Sequence, residues 1–417
     1  MYSIFKIKFN LSVIACFSAA LFSFYDIFQL SLFNSIASDL SHSFHISSFK
    51  LGIMSSAYLW ANALGLIPIG LLIDKYNVRY VAISLLTLSI IASFVIANTQ
   101  CWQIVMLMRF IQGLTSATSL LTCMRMAIHC FNTRANTAIG IMVAIALCGG
   151  IFGNNIFIKL VNILGWQASV KIAGLIGLFI LALMLFYLHD INTNTSIKLS
   201  FSVTPLLQKL KLIIKNYINL LLGVYLGCMS LPIFIFASLW GNLYLRQNYS
   251  LTTVQAALSS GMIFTGLLIG SPLIGTIADK IQSPKLILKA GALLSLLFIL
   301  PFILRLPLSL TQITLLFFSL GVIGSMQNVT FVVIADTNHS DFISTATGTA
   351  SFIENAIGAL SQLIFGWLLN SSWQSINLNH LTHSLQQHYY DALLLFPAGF
   401  IICIILIYIC EKNATIT

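Results

Sequence analysis

Three ionisable residues lie inside long apolar stretches of this chain: Asp26, Arg109 and Glu354. A charge at the centre of a bilayer costs ~2.5–3.5 kcal/mol on insertion scales unless it is paired or hydrated, so each of the three needs a chemical reason. The other carboxylates, Asp39, Asp74, Asp190, Asp279, Asp336, Asp341, Asp391 and Glu411, fall at predicted helix ends or in loops. A carboxyl group in a dry site can load a proton and release it when the site is wetted. That makes Glu354, with Asn355 beside it, the first candidate for proton coupling and Asp26 the second. The competing reading is a glutamic acid held neutral against a neighbouring helix. Every histidine is expected in a loop or at a helix end, so no imidazole relay is expected at mid-depth.

Asp26 and Arg109 are expected at similar depth. If the first helix ends near residue 34 and the fourth begins near 103, they lie about 12 and about 9 Å below the same face at ~1.5 Å per residue. A buried pair between them reads either as a structural ion pair or as two partners for a zwitterionic solute, such as an amino acid or short peptide. Other polar residues inside the apolar runs are candidates for the lining of a binding cavity. Tyr25 and Gln29 flank Asp26, Tyr58 and Asn62 share a helix face, and Gln112 lies one turn beyond Arg109. Asn242 sits in Trp240-Gly-Asn-Leu-Tyr244, Gln327 and Asn328 in a later run, and Asn154 and Asn155 in the fifth. Each alone also fits packing or an interfacial aromatic belt. Together they describe a polar cavity, suited to a hydrophilic nutrient.

The elements that must hold these residues follow from composition. The chain is 58% hydrophobic and 7% charged, with mean hydropathy +0.96, whereas a soluble chain needs roughly 25% charged residues. Apolar runs of spanning length are read near 11–35, 50–73, 80–98, 103–125, 138–158, 168–188, 218–244, 252–274, 286–304, 309–334, 345–369 and 390–410. The start of the chain reads as a retained first helix, because no small-residue cleavage site follows its apolar run. The eight cysteines form no Cys-x-x-Cys pair and read as small apolar residues. With the N-terminus inside, fourteen Lys and Arg residues fall on the cytoplasmic side and five on the other, with Arg109 buried. This asymmetry predicts both termini in the cytoplasm and accounts for the net charge of +10 without nucleic acid. The polar stretch 191–216 reads as a cytoplasmic linker whose Lys209, Lys211 and Lys215 alternate with apolar residues, an amphipathic segment for the inner leaflet.

Two polar stretches repeat across the chain. Gly70-Leu-Leu-Ile-Asp74-Lys75, with Arg79 beyond, is echoed by Gly275-Thr-Ile-Ala-Asp279-Lys280, with Lys285 beyond. The repeat predicts two copies of one six-helix bundle, 1–190 and 217–417, with one site between them. Asp74 and Asp279 read either as latches that form in one state of a rocking pair of bundles or as interfacial charges that set topology. No nucleophile–base set, metal spacing or phosphate loop appears within the spans, so neither an enzyme nor a cofactor or metal site is expected.

On these residues the chain resembles a major facilitator superfamily transporter. Gly70–Arg79 is similar to the family's signature loop after helix two, Gly275–Lys285 to its echo after helix eight, and Arg109-Phe-Ile-Gln112-Gly113-Leu-Thr-Ser-Ala117 to its fourth-helix element. Asn77 replaces a usual glycine of the loop, and Ser283-Pro284 its counterpart. The resemblance implies an all-α fold of twelve transmembrane helices, with Gly70, Asp74, Lys75, Arg79, Gly275, Asp279 and Lys280 in gating. It further implies a monomeric secondary carrier working by alternating access on a small-molecule substrate. Leu239–Tyr244, Gly270–Gly275 and Phe24-Tyr-Asp26 resemble a bacterial branch related to the lysosomal dipeptide carriers, with phagosomal nutrient transporters a near comparison. Proton-coupled uptake of an amino acid, dipeptide or similar nutrient across a bacterial inner membrane is the resulting expectation. Nucleoside uptake, and proton-driven export of a drug or siderophore, are the alternatives. The fifth helix lacks the Gly-Pro pair associated with drug antiporters, which counts against export.

Overall fold

The computed structural model describes residues 2–131, 135–188, 217–338, 343–370 and 389–412. Twelve helices and no strand are found among the described residues. The first six are α1 (Tyr2–Phe44), α2 (Ser48–Lys75), α3 (Val78–Asn98), α4 (Trp102–Phe131), α5 (Ala135–Ile151 and Phe157–Leu164, joined by a π-turn at Phe152–Ile156) and α6 (Trp166–Tyr187). The last six are α7 (Tyr217–Met229 and Pro232–Tyr249), α8 (Thr253–Ile281), α9 (Pro284–Ile303), α10 (Leu310–Thr337), α11 (Ile343–Asn370) and α12 (Leu395–Lys412). Ten of these are long and apolar enough to cross a membrane, and the two parts of α7, bent by 40°, make an eleventh. The 28-residue α2 completes the set. The expected linker at 191–216 lies outside the described residues.

The helices begin and end where local chemistry directs. Thr252 with Gln255 and Ser309 with Gln312 form capping boxes that satisfy the free N–H groups opening α8 and α10. Asn77, the departure in the first signature stretch, caps α3 by accepting from the Arg79 N–H at 3.0 Å. One boundary differs markedly from expectation: α1 continues to Phe44 instead of ending near 35. Its last turns carry Ser35, Ser38, Asp39 and Ser41, which read as a loop. Instead the hydroxyls are used in packing, with Ser35 Oγ donating to the Gly153 carbonyl and Ser38 Oγ accepting from Arg246.

Packing partners repeat with an offset of six helices. α2 packs on α4, α1 on α5 and α3 on α6; correspondingly α8 packs on α10, α7 on α11 and α9 on α12. The two sets meet through α2–α11, α5–α8 and α1–α7. The Lys75–Val78 and Ile281–Pro284 turns are six crossings apart and so share one face, here the near face; Phe44–Ser48 lies on the far face. In the far half the two sets touch closely. A Cβ on Gly52 would meet the Gln362 carbonyl at 2.9 Å, and one on Gly150 would enter the Phe264 ring at 2.5 Å. In the near half they part around a cavity.

Candidate functional site

The cavity measures about 290 Å³ and is built by both sets of helices. α1 supplies Ser23 and Asp26, α2 Asn62, α4 Ser116 and Ser119, and α5 Met142 and Ala146. From the other side α10 contributes Phe331, and α11 contributes Ser351, Glu354 and Asn355. Two acidic side chains thus face one space from opposite sets, and none of the described lining residues is a cation. Asp26 is 2% exposed and its Oδ2 has no hydrogen-bond partner. Leaving a buried carboxylate oxygen unsatisfied is costly, so a proton or a donor group from a solute has a place to bind there.

Glu354 is tied into its own set. Ser230, just before the break in α7, lies 2.7 Å from Glu354 Oε1 and 2.8 Å from Gln327 Oε1. A hydroxyl carries one proton and cannot donate to both oxygens. Either Glu354 is protonated and donates to Ser230, which donates to Gln327, or the Gln327 amide turns its Nε2 toward Ser230 and an ionised Glu354 accepts. The protonation state of the carboxyl is therefore linked to an amide on α10 and to the hinge of α7.

Arg109 is elsewhere, and the expected pairing with Asp26 is corrected. Its Nη1 donates to the Gln29 carbonyl at 3.0 Å and to Gln112 Oε1 at 3.1 Å, while its guanidinium lies over the rings of Phe33 and Tyr58 at 4.6 and 4.5 Å. The reason is register. α1 and α4 are antiparallel with Ser23 opposite Cys123, so Asp26 falls near Ser119, ten residues along α4 from Arg109, whose side chain reaches Gln29 and Phe33 instead. The expected depths failed because α1 does not end near 34.

The remaining candidates divide the same way. Tyr25, Gln29 and Gln112 converge on Ser93 Oγ at 3.0–3.2 Å, a closed network between α1, α3 and α4 that does not reach the cavity. Tyr58 donates to the Asp26 carbonyl and covers Arg109. Asn62 lines the cavity, and Gln327 is one hydroxyl away from Glu354. Asn242 is buried at the junction of α1 and α7, where its N–H donates to Asn34 Oδ1. Asn328 is exposed and donates to Ser271. Ser93, Ser230 and Asn34 were not singled out from the sequence; each is a small polar residue whose role depends on a partner far along the chain.

The two signature stretches differ in engagement. Around the first, Arg79 Nη2 donates to the Leu185 carbonyl at the end of α6, and Arg125 donates to the Ile73 carbonyl at the end of α2. Lys75 lies over the Tyr76 ring. The Asp74 side chain lies outside the described residues. In the second, Asp279 and Lys280 are exposed. A Cβ on Gly275 would meet nothing within 4 Å, and one on Gly70 would only touch Leu121 at 4.0 Å. Among the described residues no group of three His, Cys, Asp or Glu side chains could hold a metal ion.

A sequence model of the Major Facilitator Superfamily matches residues 19–362. Among solved structures, a bacterial homolog of the human lysosomal transporter Spinster, in an inward-facing and unoccupied conformation, superposes with TM-score 0.75 at 12% identity, covering 97% of this chain and 98% of that one. The nucleoside transporter NupG gives TM-score 0.74 at 14% identity over 95% and 99% of the two chains. A D-xylose-proton symporter gives 0.72 at 14% over 94% and 97%. No curated protein sequence matches. Identities this low carry the fold alone.

Proposed function

The chain belongs to the major facilitator superfamily, and from that premise we propose that it is a proton-coupled carrier that takes up a small polar organic solute by alternating access. Residues 1–190 and 217–417 are the two bodies that move against each other. With the near face cytoplasmic, as the cation asymmetry of the sequence favours, the cavity is open inward and sealed outward. The membrane is then a bacterial inner membrane and the carrier works as a monomer.

One observation carries the choice of solute: the described cavity lining offers two carboxyl groups, amides and hydroxyls but no cation. A free carboxylate would enter without a partner, because Arg109 does not line the cavity. A solute rich in N–H and O–H donors and without a carboxylate, such as a nucleoside, fits better than an amino acid or dipeptide. At about 290 Å³ the cavity is at the small end for ligand sites, which speaks against a siderophore. Glu354, linked through Ser230 to the α7 hinge, is the coupling carboxyl, and Asp26 binds the solute or a second proton. Asp74 and Asp279 act as near-side latches, and the open surroundings of Gly70 and Gly275 leave room for the near side to close.

Uptake of labelled nucleosides, amino acids and dipeptides into cells, with and without a proton gradient, tests this. Nucleoside uptake that collapses with the gradient is expected. Gradient-driven amino-acid uptake with nucleosides excluded would overturn the choice of solute.

A further inference from the structure

Proline at position 232 opens a π-helical stretch of α7, Pro232–Trp240, in which the backbone closes on the fifth residue instead of the fourth, as from the Gly241 N–H to the Phe236 carbonyl. Widening a helix in this way leaves carbonyl groups turned outward, and buried carbonyls require donors. Here two of the donors come from the other half of the protein. The Asn34 side-chain amide, 1% exposed, lies 3.3 and 3.4 Å from the carbonyls of Phe236 and Ala237 and 3.1 Å from Ser260 Oγ on α8. Its Oδ1 accepts the Asn242 N–H at 3.2 Å, so both ends of one amide are used across the divide. Asn154, from the π-turn of α5, donates to the Ala237 carbonyl at 2.8 Å and braces Asn34 at 3.0 Å. On the opposite flank Gln362 of α11 donates to the Phe234 carbonyl at 2.8 Å.

We propose that Asn34, braced by Asn154, is the latch of the far-side gate. It holds the irregular stretch of α7 while the cavity is open to the near side, and its release is a step in opening the far side. The latch binds no solute: Asn34 and Asn154 do not line the cavity. They are positioning residues, acting through α7. The inference takes its meaning from the carrier reading and is independent of which solute is carried.

Asn34→Leu keeps the branching and heavy-atom count of the side chain and removes both the donors and the acceptor. Spin labels at Gln103 and Thr311, exposed positions at the far ends of α4 and α10, report the separation of the two halves on that face. Cys101, Cys130 and Cys148 are replaced by serine in all variants to prevent stray labelling. In the parent protein the short separation is expected to dominate. Asn34→Leu is expected to raise the ratio of long to short separations by about fivefold or more, the scale of one net hydrogen bond. A folded Asn34→Leu protein with an unchanged distribution would overturn the latch. If that variant does not fold, Asn154→Ala, which removes one donor to the Ala237 carbonyl and the brace, is read by the same criterion. An unchanged distance distribution would leave the carrier assignment standing, and a failed solute panel would leave the latch standing.

Discussion

Arg109 and Glu354 are both ionisable side chains carried into the membrane-spanning core, yet their surroundings differ in kind. Arg109 is enclosed by a carbonyl, an amide and two aromatic faces, all from α1, α2 and α4. Glu354 reaches a cavity bounded by both halves and shares a single hydroxyl proton with Gln327. In the first, Nη1 is bonded while Nε and Nη2 have no hydrogen-bond partner; the second has two arrangements related by a proton. Buried charge therefore occupies two kinds of place here, one within a single half and one between the halves. Asp26 belongs with Glu354 although it lies closer in sequence to the residues around Arg109.

The comparison is broken most directly at Arg109. Arg109→Ala removes two charge-assisted hydrogen bonds and the cation over Phe33 and Tyr58, at a cost of about 3 kcal/mol or more. Little folded protein is expected after extraction, and a large fall in melting temperature in what remains. Adding Asp26→Asn should not restore it, because the two are not partners. A double variant of parental stability would mean that they are.

Glu354→Gln is expected to act in the opposite sense. Melting should stay close to the parent, net proton-driven uptake should fall at least tenfold, and exchange of labelled for unlabelled solute should persist, because exchange needs no proton release. Normal net uptake with accompanying acidification inside would remove Glu354 from coupling and pass the role to Asp26. The smallest effect is expected at the near rim. Asp279→Asn should lower the maximal rate a few-fold at unchanged apparent affinity, since the group is exposed and off the cavity. A change confined to affinity would argue against a latch there.

Much of the architecture was legible because it rests on local signals. Span lengths, the duplicated G-x-x-x-D-K stretch and the Arg109–Ala117 element all lie within short windows of sequence. The site was legible only in part. Asp26, Asn62 and Glu354, picked out by the expense of placing polar groups in hydrocarbon, line the cavity. That same expense says nothing about which neighbour meets it. Register between α1 and α4 decided that Arg109 meets Phe33, and register depended on a helix end disguised by Ser35, Ser38 and Asp39. Asn34 escaped notice for a related reason: its acceptors are carbonyls about two hundred residues away, exposed by a π-turn that has no composition of its own beyond Pro232.

The far seal has a consequence for the conditions the protein can tolerate. Its inner ring is made of amides, carbonyls, a hydroxyl and close-packed glycines, with no formal charge. Dissolved ions screen charges over a Debye length of ~10 Å at 0.1 M salt, but they have little hold on neutral dipoles buried away from water. Brackish or dilute surroundings on the far side should therefore leave that seal equally firm. Sensitivity to ionic strength belongs to the charged rims, with Lys75, Arg79 and Lys280 on the near side and Arg246, which donates to Ser38, on the far side.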